Sequence, residues 1–130
     1  MTLSVSVVSP ERVLYTGEAM MVATRTLGGG DIAFQTGHAP FIAALATWPL
    51  RVIQSDGKVE TIAVHGGFVE VSNNTISVLS DVAELPSQID VPRAQAAKDA
   101  AEAALRTDAN DADAAAALAR ATVRLQSAAG

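Results

Sequence analysis

The spacing of apolar residues changes near residue 86. Before it, apolar and polar residues alternate, as where Leu3, Val5 and Val7 are separated by serines, and this period of two is typical of half-buried strands. Many short strands with turn residues between them are typical of a β-sandwich or barrel. Strands are predicted over 3–7, 18–25, 31–34, 41–45, 48–53, 58–64, 68–71 and 75–79.

Three short stretches of turn residues separate these strands. Asp56-Gly57 and Asn73-Asn74 each predict a hairpin with a type I′ turn, because Asp, Asn and Gly tolerate the positive φ that both central positions require. Gly28-Gly29-Gly30 lacks the Lys and Ser/Thr of a phosphate-binding loop, so we interpret it as a turn before a strand.

Beyond residue 92 nearly half of the chain is alanine, the strongest helix former. Asp90 and Asp111 are placed to cap helices over 91–106 and 112–128. Because a short link joins the two helices, they are predicted to form an antiparallel hairpin. The predicted fold class is therefore β + α, a β-sandwich followed by an α-helical hairpin.

The contact between the two helices is predicted to be rich in alanine, so it buries little area. Apolar burial is worth about 25 cal/mol per Å², and isolated helices of this length are marginal in water. We therefore expect the hairpin to need docking on the sandwich or on another protein, as switch elements do; the alternative is a rigid appendage. The predicted contact residues are Ala94, Ala97, Ala101, Leu105, Ala114, Leu118, Ala121 and Leu125.

The composition limits which core residues and which kinds of site the chain can have. Aromatic residues are scarce, so the core must be built from Val, Ile, Leu and Ala, and the absence of cysteine excludes disulfides and thiolate metal sites. The longest apolar run, residues 41–50, is shorter than the roughly 20 residues of a membrane span, so no direct membrane insertion is expected. The first residues show no pattern of an export signal, and none is expected.

Charge is unevenly distributed. Residues 1–92 hold nine acidic and four basic side chains, a net charge of −5, whereas residues 93–130 hold five of each. An acidic body does not suit nucleic-acid binding, in which contacts to phosphate dominate the affinity.

No catalytic arrangement surrounds His38 or His65. Neither histidine has a Ser/His/Asp order or metal-ligand spacing around it, so the chain is predicted to hold no metal and to catalyse no reaction. A metal-dependent enzyme that uses both histidines is the remaining alternative of that class.

Three arginines suggest an anion site. Arg120 and Arg124 share a helix face, and an antiparallel hairpin brings Arg93 towards them, near a helix N-terminus that favours anions. Guanidinium groups in such a position can bind phosphate or a nucleotide. The alternative is that Glu84, Asp90 and solvent neutralise them.

Three stretches carry a family resemblance. Val7-Val8-Ser9-Pro10-Glu11-Arg12, Gly30 to Phe41 with its Gly-His-Ala-Pro sequence, and Gly66-Gly67-Phe68-Val69-Glu70-Val71 resemble the epsilon subunit of bacterial F-type ATP synthases. The resemblance implies a ten-stranded β-sandwich over 1–86 and a regulatory hairpin over 87–130. It implies a non-catalytic subunit of the central stalk that couples proton flow to ATP synthesis and restrains ATP hydrolysis.

The resemblance also implies partners. These are the gamma subunit of the central shaft, through Ser9 and Phe41, and the ring of c subunits, through Gly30, Asp31 and His38. The hairpin is expected to reach the alpha and beta subunits of the catalytic head, and the location to be peripheral, on the cytoplasmic face of the cell membrane. A stand-alone nucleotide- or anion-sensing sandwich is the alternative.

Some members of this family bind ATP through an Ile/Leu-Asp-x-x-Arg-Ala sequence. Here it is Ile89-Asp90-Val91-Pro92-Arg93-Ala94, which Glu84, Arg120 and Arg124 would complete, so ATP is expected as a regulatory ligand and no cofactor is required. The chain departs from the family pattern at Ala33, Thr36 and His65, and at Ala100, where binders can have a further arginine.

Overall fold

The computed structural model describes residues 2–129; Met1 and Gly130, the outer ends of the ranges 1–86 and 87–130, lie outside them. Strands come first in the chain and helices follow. The strands are β1 (Leu3–Val8), β2 (Val13–Ala19), β3 (Met21–Thr26), β4 (Gly30–Gln35), β5 (Phe41–Ile53), β6 (Val59–Ser72), β7 (Thr75–Leu79) and β8 (Ala83–Glu84). A 3₁₀ helix spans Pro86–Gln88, and the α-helices are α1 (Val91–Thr107) and α2 (Ala112–Ala128).

The described part of the chain forms eight strands, so the expected number of ten is wrong. The segments 41–45 and 48–53 run on as one strand, β5, and 58–64 and 68–71 run on as β6. Strand β6 stays continuous because Gly66 and Gly67 adopt φ values of 83° and 126°, which let the backbone bend without losing its partner β5. If β5 and β6 were each counted as two strands, the total would be ten.

The strand predicted over 18–25 is also divided. It breaks at Met20, because the chain there leaves its pairing with β1 and begins to pair with β4 and β5. Strand β2 ends at Ala19 and β3 begins at Met21. A local pattern does not reveal a change of partner strand.

The two long strands carry the sheet through both layers of the sandwich. The strand order is β2-β1-β7-β6-β5-β3-β4, with β8 paired to β6. The first layer holds β2, β1, β7, the end of β6 and the start of β5. The second layer holds the start of β6, the end of β5, β3, β4 and β8.

The core between the layers is aliphatic, as the composition predicts. Phe34 is its one fully buried aromatic residue among those described. The other large, fully buried side chains are Leu3, Leu50, Ile62, Ile76, Val7, Val22, Val52, Val64, Val69, Val71 and Val78.

The two predicted hairpins form, with different turns. Asn73 and Asn74 have φ values of 50° and 58°, which confirms the type I′ signature. At 56–57 the predicted turn type is wrong, because Gly57 alone has a positive φ, 87°. The Gly57 N–H donates to the Gln54 carbonyl at 2.9 Å, and the Asp56 carboxylate accepts from the Lys58 N–H at 2.9 Å, so this loop is longer.

The helix predictions are confirmed to within one residue. The Asp90 carboxylate accepts the Arg93 N–H at 3.1 Å, and the Asp111 carboxylate accepts the Ala114 N–H at 3.0 Å, so both caps form. Helix α1 packs against α2, and α2 packs against β5 and β6. No helix within residues 2–129 is both long enough and apolar enough to cross a membrane.

The alanine contact between the helices is largely as predicted. Ala94, Ala101, Ala114 and Ala121 are buried. Ala97 is exposed, contrary to the prediction, because it borders an open cleft instead of the partner helix.

A second face of α2, which the prediction missed, buries Val123 and Ser127. Val123 borders a small cavity together with Thr47 and Trp48 of β5. Helix α2 therefore lies between the sandwich and α1.

Candidate functional site

A cleft of about 380 Å³ opens where β8, the start of α1 and the end of α2 meet. It brings together most of the residues predicted for nucleotide binding. Its lining is Glu84, Gln88, Asp90, Arg93, Ala94, Ala97 and Arg124. Ile89 and Arg120 are not in that lining, and Arg120 stands one turn before Arg124 on α2.

Glu84 connects the sandwich to α2. Its Oε1 atom accepts hydrogen bonds from Arg124 Nε at 2.8 Å and from His65 Nε2 at 2.7 Å. Burial raises the pKa of Glu84, but the hydrogen bonds from Arg124 and His65 outweigh this effect, so the pKa lies below its ordinary value. The carboxylate therefore stays ionised at neutral pH.

His65 is the residue of this cluster that sequence reasoning did not place. Its side chain is 5% exposed, and burial lowers its pKa despite the hydrogen bond to Glu84. The period of two along β6 places His65 with Thr61 and Ala63 on the face that points away from the core. Only the structure shows that Thr61 and Ala63 are buried and that α2 is the helix that packs on β6.

The three arginines differ in their partners. Glu84 neutralises Arg124, as the alternative to an anion site predicted. Asp90 does not pair with an arginine side chain, because its carboxylate caps α1. Arg93 and Arg120 form no salt bridge with any residue in 2–129. The cleft therefore holds one paired and one unpaired guanidinium beside the N-terminus of α1, together with the carboxylates of Glu84 and Asp90.

Asp31 lies at the opposite side of the second layer. Its Oδ1 accepts from Arg25 Nε at 2.8 Å, and the Arg25 guanidinium stacks 3.6 Å from the centre of the Trp48 ring. The hydrogen bond from Arg25 lowers the pKa of Asp31, whose side chain is 73% exposed. Gly30 precedes it with a φ of 78°. Asp31 is therefore an ionised surface group with one side held by Arg25.

His38 does not lie beside Asp31. Asp31 stands at the start of β4 and His38 follows its end, and the four steps from Asp31 to Gln35 alone span about 14 Å at 3.4 Å per residue. The His38 ring contacts Phe34 and Phe41, with ring centres 5.0 and 5.9 Å away. Among residues 2–129 no group of three or more potential metal-ligating side chains occurs, and His65 belongs to the separate cluster around Glu84.

The outer face of the first layer carries a continuous row of apolar side chains, here called the apolar stripe. Cross-strand partners share a face of a sheet, and the register joins Ala44 to Phe68, Phe68 to Leu79, Leu79 to Val8, and Val8 to Val13. Leu27, in the turn after β3, continues the row and donates its N–H to the Ala44 carbonyl. Four of these side chains are largely exposed, at 70% for Leu27, 57% for Phe68, 57% for Leu79 and 60% for Val13.

Of the two predicted shaft residues, Ser9 lies beside this stripe and Phe41 faces the core. Ser9 borders a groove shared with Phe68 and Leu79. Phe41 packs against the core, and the next residue, Ile42, points outward and is 68% exposed. The sequence reasoning did not single out Ile42 and Phe68 as exposed apolar residues; the available signal was an apolar residue at an outward position of an alternating strand.

Comparison with known proteins finds a family model and relatives that carry the same family name. A family model described as "ATP synthase, Delta/Epsilon chain, beta-sandwich domain" matches residues 2–86. The chain is 44% identical over 100 residues to the ATP synthase epsilon chain of Brevibacillus brevis, covering 77% of this chain and 75% of the relative. It is 40% identical over 128 residues to that of Streptomyces coelicolor, covering 98% and 96%.

Solved structures share the fold. A chain in the cryo-EM structure of the Euglena gracilis mitochondrial ATP synthase, with OSCP, F1 and the c-ring, superposes with a TM-score of 0.82 at 19% identity, covering 99% of this chain and 82% of that one. A chain in the central stalk and c-ring structure of the Tetrahymena thermophila enzyme gives 0.55 at 16% identity, covering 68% and 69%. At these identities the likeness concerns the fold alone.

Proposed function

The chain belongs to the ATP synthase epsilon chain family, and from that membership we propose that it couples the rotor to the catalytic head as a non-catalytic subunit of the central stalk. Its sandwich would bind the gamma subunit of the shaft and the ring of c subunits. Its hairpin would regulate ATP hydrolysis at the alpha and beta subunits. The location would be peripheral, on the cytoplasmic face of the cell membrane.

The apolar stripe is the observation that carries this proposal. It crosses five strands and leaves Leu27, Phe68 and Leu79 more than half exposed. Contiguous apolar surface of this kind on a soluble domain marks an interaction site. The hairpin lies on β5 and β6 of the second layer, so it does not cover the stripe. We assign the stripe, with Ser9 at its border, to the gamma subunit.

The proposed function is tested by binding to the shaft. The full chain and the gamma subunit are mixed and separated by size-exclusion chromatography. We expect a stable complex of one copy of each. Two separate peaks at micromolar concentrations would overturn the proposal and favour the stand-alone sensor, which needs no rotary partner.

Asp31 is proposed to contact the polar loops of the ring. The substitution Asp31→Arg reverses an exposed charge. We therefore expect the shaft complex to bind at least about tenfold more weakly to membranes that hold the ring. Binding to the gamma subunit alone should not change. Glu18→Arg, an exposed exchange on β2, is the matched control. Equal ring binding by Asp31→Arg and the parent chain would contradict this assignment.

ATP is proposed as a ligand of the cleft, held by Arg93, Arg120 and Arg124. Because a hydrogen bond to a charged group contributes about 1.5–3 kcal/mol, we expect Arg93→Ala to weaken ATP binding at least about tenfold in calorimetry. Arg106→Ala, in the last turn of α1, is the control and should bind like the parent. No heat from the parent at millimolar ATP, or an unchanged affinity in Arg93→Ala, would exclude this site.

A bound phosphate would compete with Glu84 for Arg124. The 2.8 Å hydrogen bond to Glu84 occupies the Nε donor of Arg124, and the guanidinium group has further N–H donors for a phosphate. Ala100 gives no further arginine here. Helix α2 of the hairpin also has few basic residues. This supports only a weak attraction between the hairpin and an acidic catalytic head.

A further inference from the structure

Two hydrogen bonds on one oxygen atom join α2 to the sheet. Arg124 on α2 and His65 on β6 both donate to Oε1 of Glu84, which belongs to β8. The side chains of Arg124 and Glu84 are 30% and 23% exposed, whereas that of His65 is 5% exposed. The contact therefore becomes less accessible to water from Arg124 inward to His65.

The protonation state of His65 follows from this geometry. Because Glu84 is a carboxylate, it can only accept, so Nε2 of His65 carries the hydrogen of the 2.7 Å bond. The other ring nitrogen, Nδ1, is buried and has no hydrogen-bond partner among residues 2–129. The neutral imidazole fits this site, with a bare Nδ1.

A second proton does not fit while the hairpin is docked. It would have to bind at Nδ1, which would create a buried N–H without an acceptor. It would also place a positive charge beside those of Arg124 and Arg120, which both act on His65. The attraction of Glu84 opposes these two costs and is already shared with Arg124.

We propose that His65, Glu84 and Arg124 form a proton-sensitive latch that holds the hairpin on the sandwich at neutral pH and releases it as the pH falls. The latch needs neither ATP nor the shaft. Its regulatory meaning rests on the role proposed above for the hairpin, because release in acid would change whether the helices can reach the catalytic head.

The direction of the pH effect follows from proton linkage. With the hairpin released, His65 loses its cover and its pKa returns towards about 6.5; docked, burial keeps its pKa lower. The released state thus binds more protons, so the contribution of His65 to the stability of docking is complete above about pH 6.5 and is lost as the pH falls towards the docked pKa. Glu84, whose pKa is also lowered, adds a loss of the same sign at more acidic pH.

The test is hydrogen exchange of the full chain, read at the α2 amides around Ala121 and Val123 between pH 7.5 and 5.5. At each pH the parent is compared with His65→Gln, because glutamine keeps a donor for Glu84 but does not titrate. The intrinsic effect of pH on exchange cancels in this ratio. Below about pH 6.5 we expect the opening constant of the parent to rise relative to His65→Gln, by up to about tenfold per pH unit.

Two further variants keep the measurement decisive. His38→Gln removes the other histidine, which contacts Phe34 and Phe41, and should respond to pH like the parent. Arg124→Gln breaks the latch directly and should raise hairpin opening at least about tenfold at pH 7.5.

The proposal is overturned if the parent and His65→Gln show the same pH dependence, or if Arg124→Gln leaves opening unchanged. Shaft binding and ATP calorimetry do not enter this measurement. Its failure is therefore distinguishable from a failure of the proposed function.

Discussion

Replacing Gly67 by alanine is expected to lower the free energy of unfolding by about 3–5 kcal/mol, a large part of the roughly 5–15 kcal/mol that stabilises a domain. Gly67 has a φ of 126°, a conformation that residues with a side chain rarely adopt and that costs about 1–3 kcal/mol. A Cβ there would also overlap the Leu79 carbonyl oxygen and lie 2.9 Å from Ser80 Cα. Both are backbone atoms of the neighbouring segment, so relief requires moving the strand.

Urea denaturation of Gly67→Ala, followed by circular dichroism, measures this loss. Gly57→Ala is the control, because Gly57 has a φ of 87° and nothing within 4 Å of the position its Cβ would take. That variant should lose only the cost of a left-handed backbone, about 1–2 kcal/mol. Equal losses in both variants would show that the close approach of Gly67 to Leu79 is unimportant.

Replacing Phe68 by aspartate is expected to weaken binding to the gamma subunit roughly 100-fold or more, while the chain alone stays folded. Phe68 stands in the middle of the apolar stripe, between Ala44 and Leu79, and is 57% exposed. Large aromatic residues at the centre of an interface often contribute 2 kcal/mol or more. Burying an unpaired carboxylate there adds a desolvation cost.

Calorimetric titration of the variant with the gamma subunit measures the change in affinity. Val59→Asp is the matched control, since Val59 is an exposed residue of the same strand, but in the second layer. It should bind like the parent. Normal binding by Phe68→Asp would exclude the apolar stripe as the shaft contact, and a loss of folding would be visible in the thermal unfolding of the variant alone.

The sequence predicted those parts of the fold that depend on near neighbours. Both helices and their caps at Asp90 and Asp111 were correct, because capping involves residues three apart. The type I′ turn at Asn73-Asn74 was correct for the same reason. The continuity of β5 and β6 was not predictable, since it depends on how Gly66 and Gly67 bend against a partner strand distant in sequence.

The candidate site was predicted in part. The antiparallel hairpin alone places Arg93 near Arg124, and the structure has both in one cleft. The sequence offered Glu84 only as one of several neutralising groups, and it did not indicate that Arg124, 40 residues away, is the arginine that pairs with it, or that His65 shares the contact. Those contacts depend on the rotation of α2 about its axis on the sheet, which the alanine-rich sequence specifies weakly because alanines occur on every face.

Helix α1 meets the rest of the molecule mainly through α2, and this arrangement has a mechanical consequence. Each helix has 17 residues, so each is about 25 Å long at 1.5 Å per residue. If α2 leaves the sheet, α1 has little to hold it back. Once the link at 108–111 straightens, the pair becomes a rod that reaches about 50 Å from the sandwich.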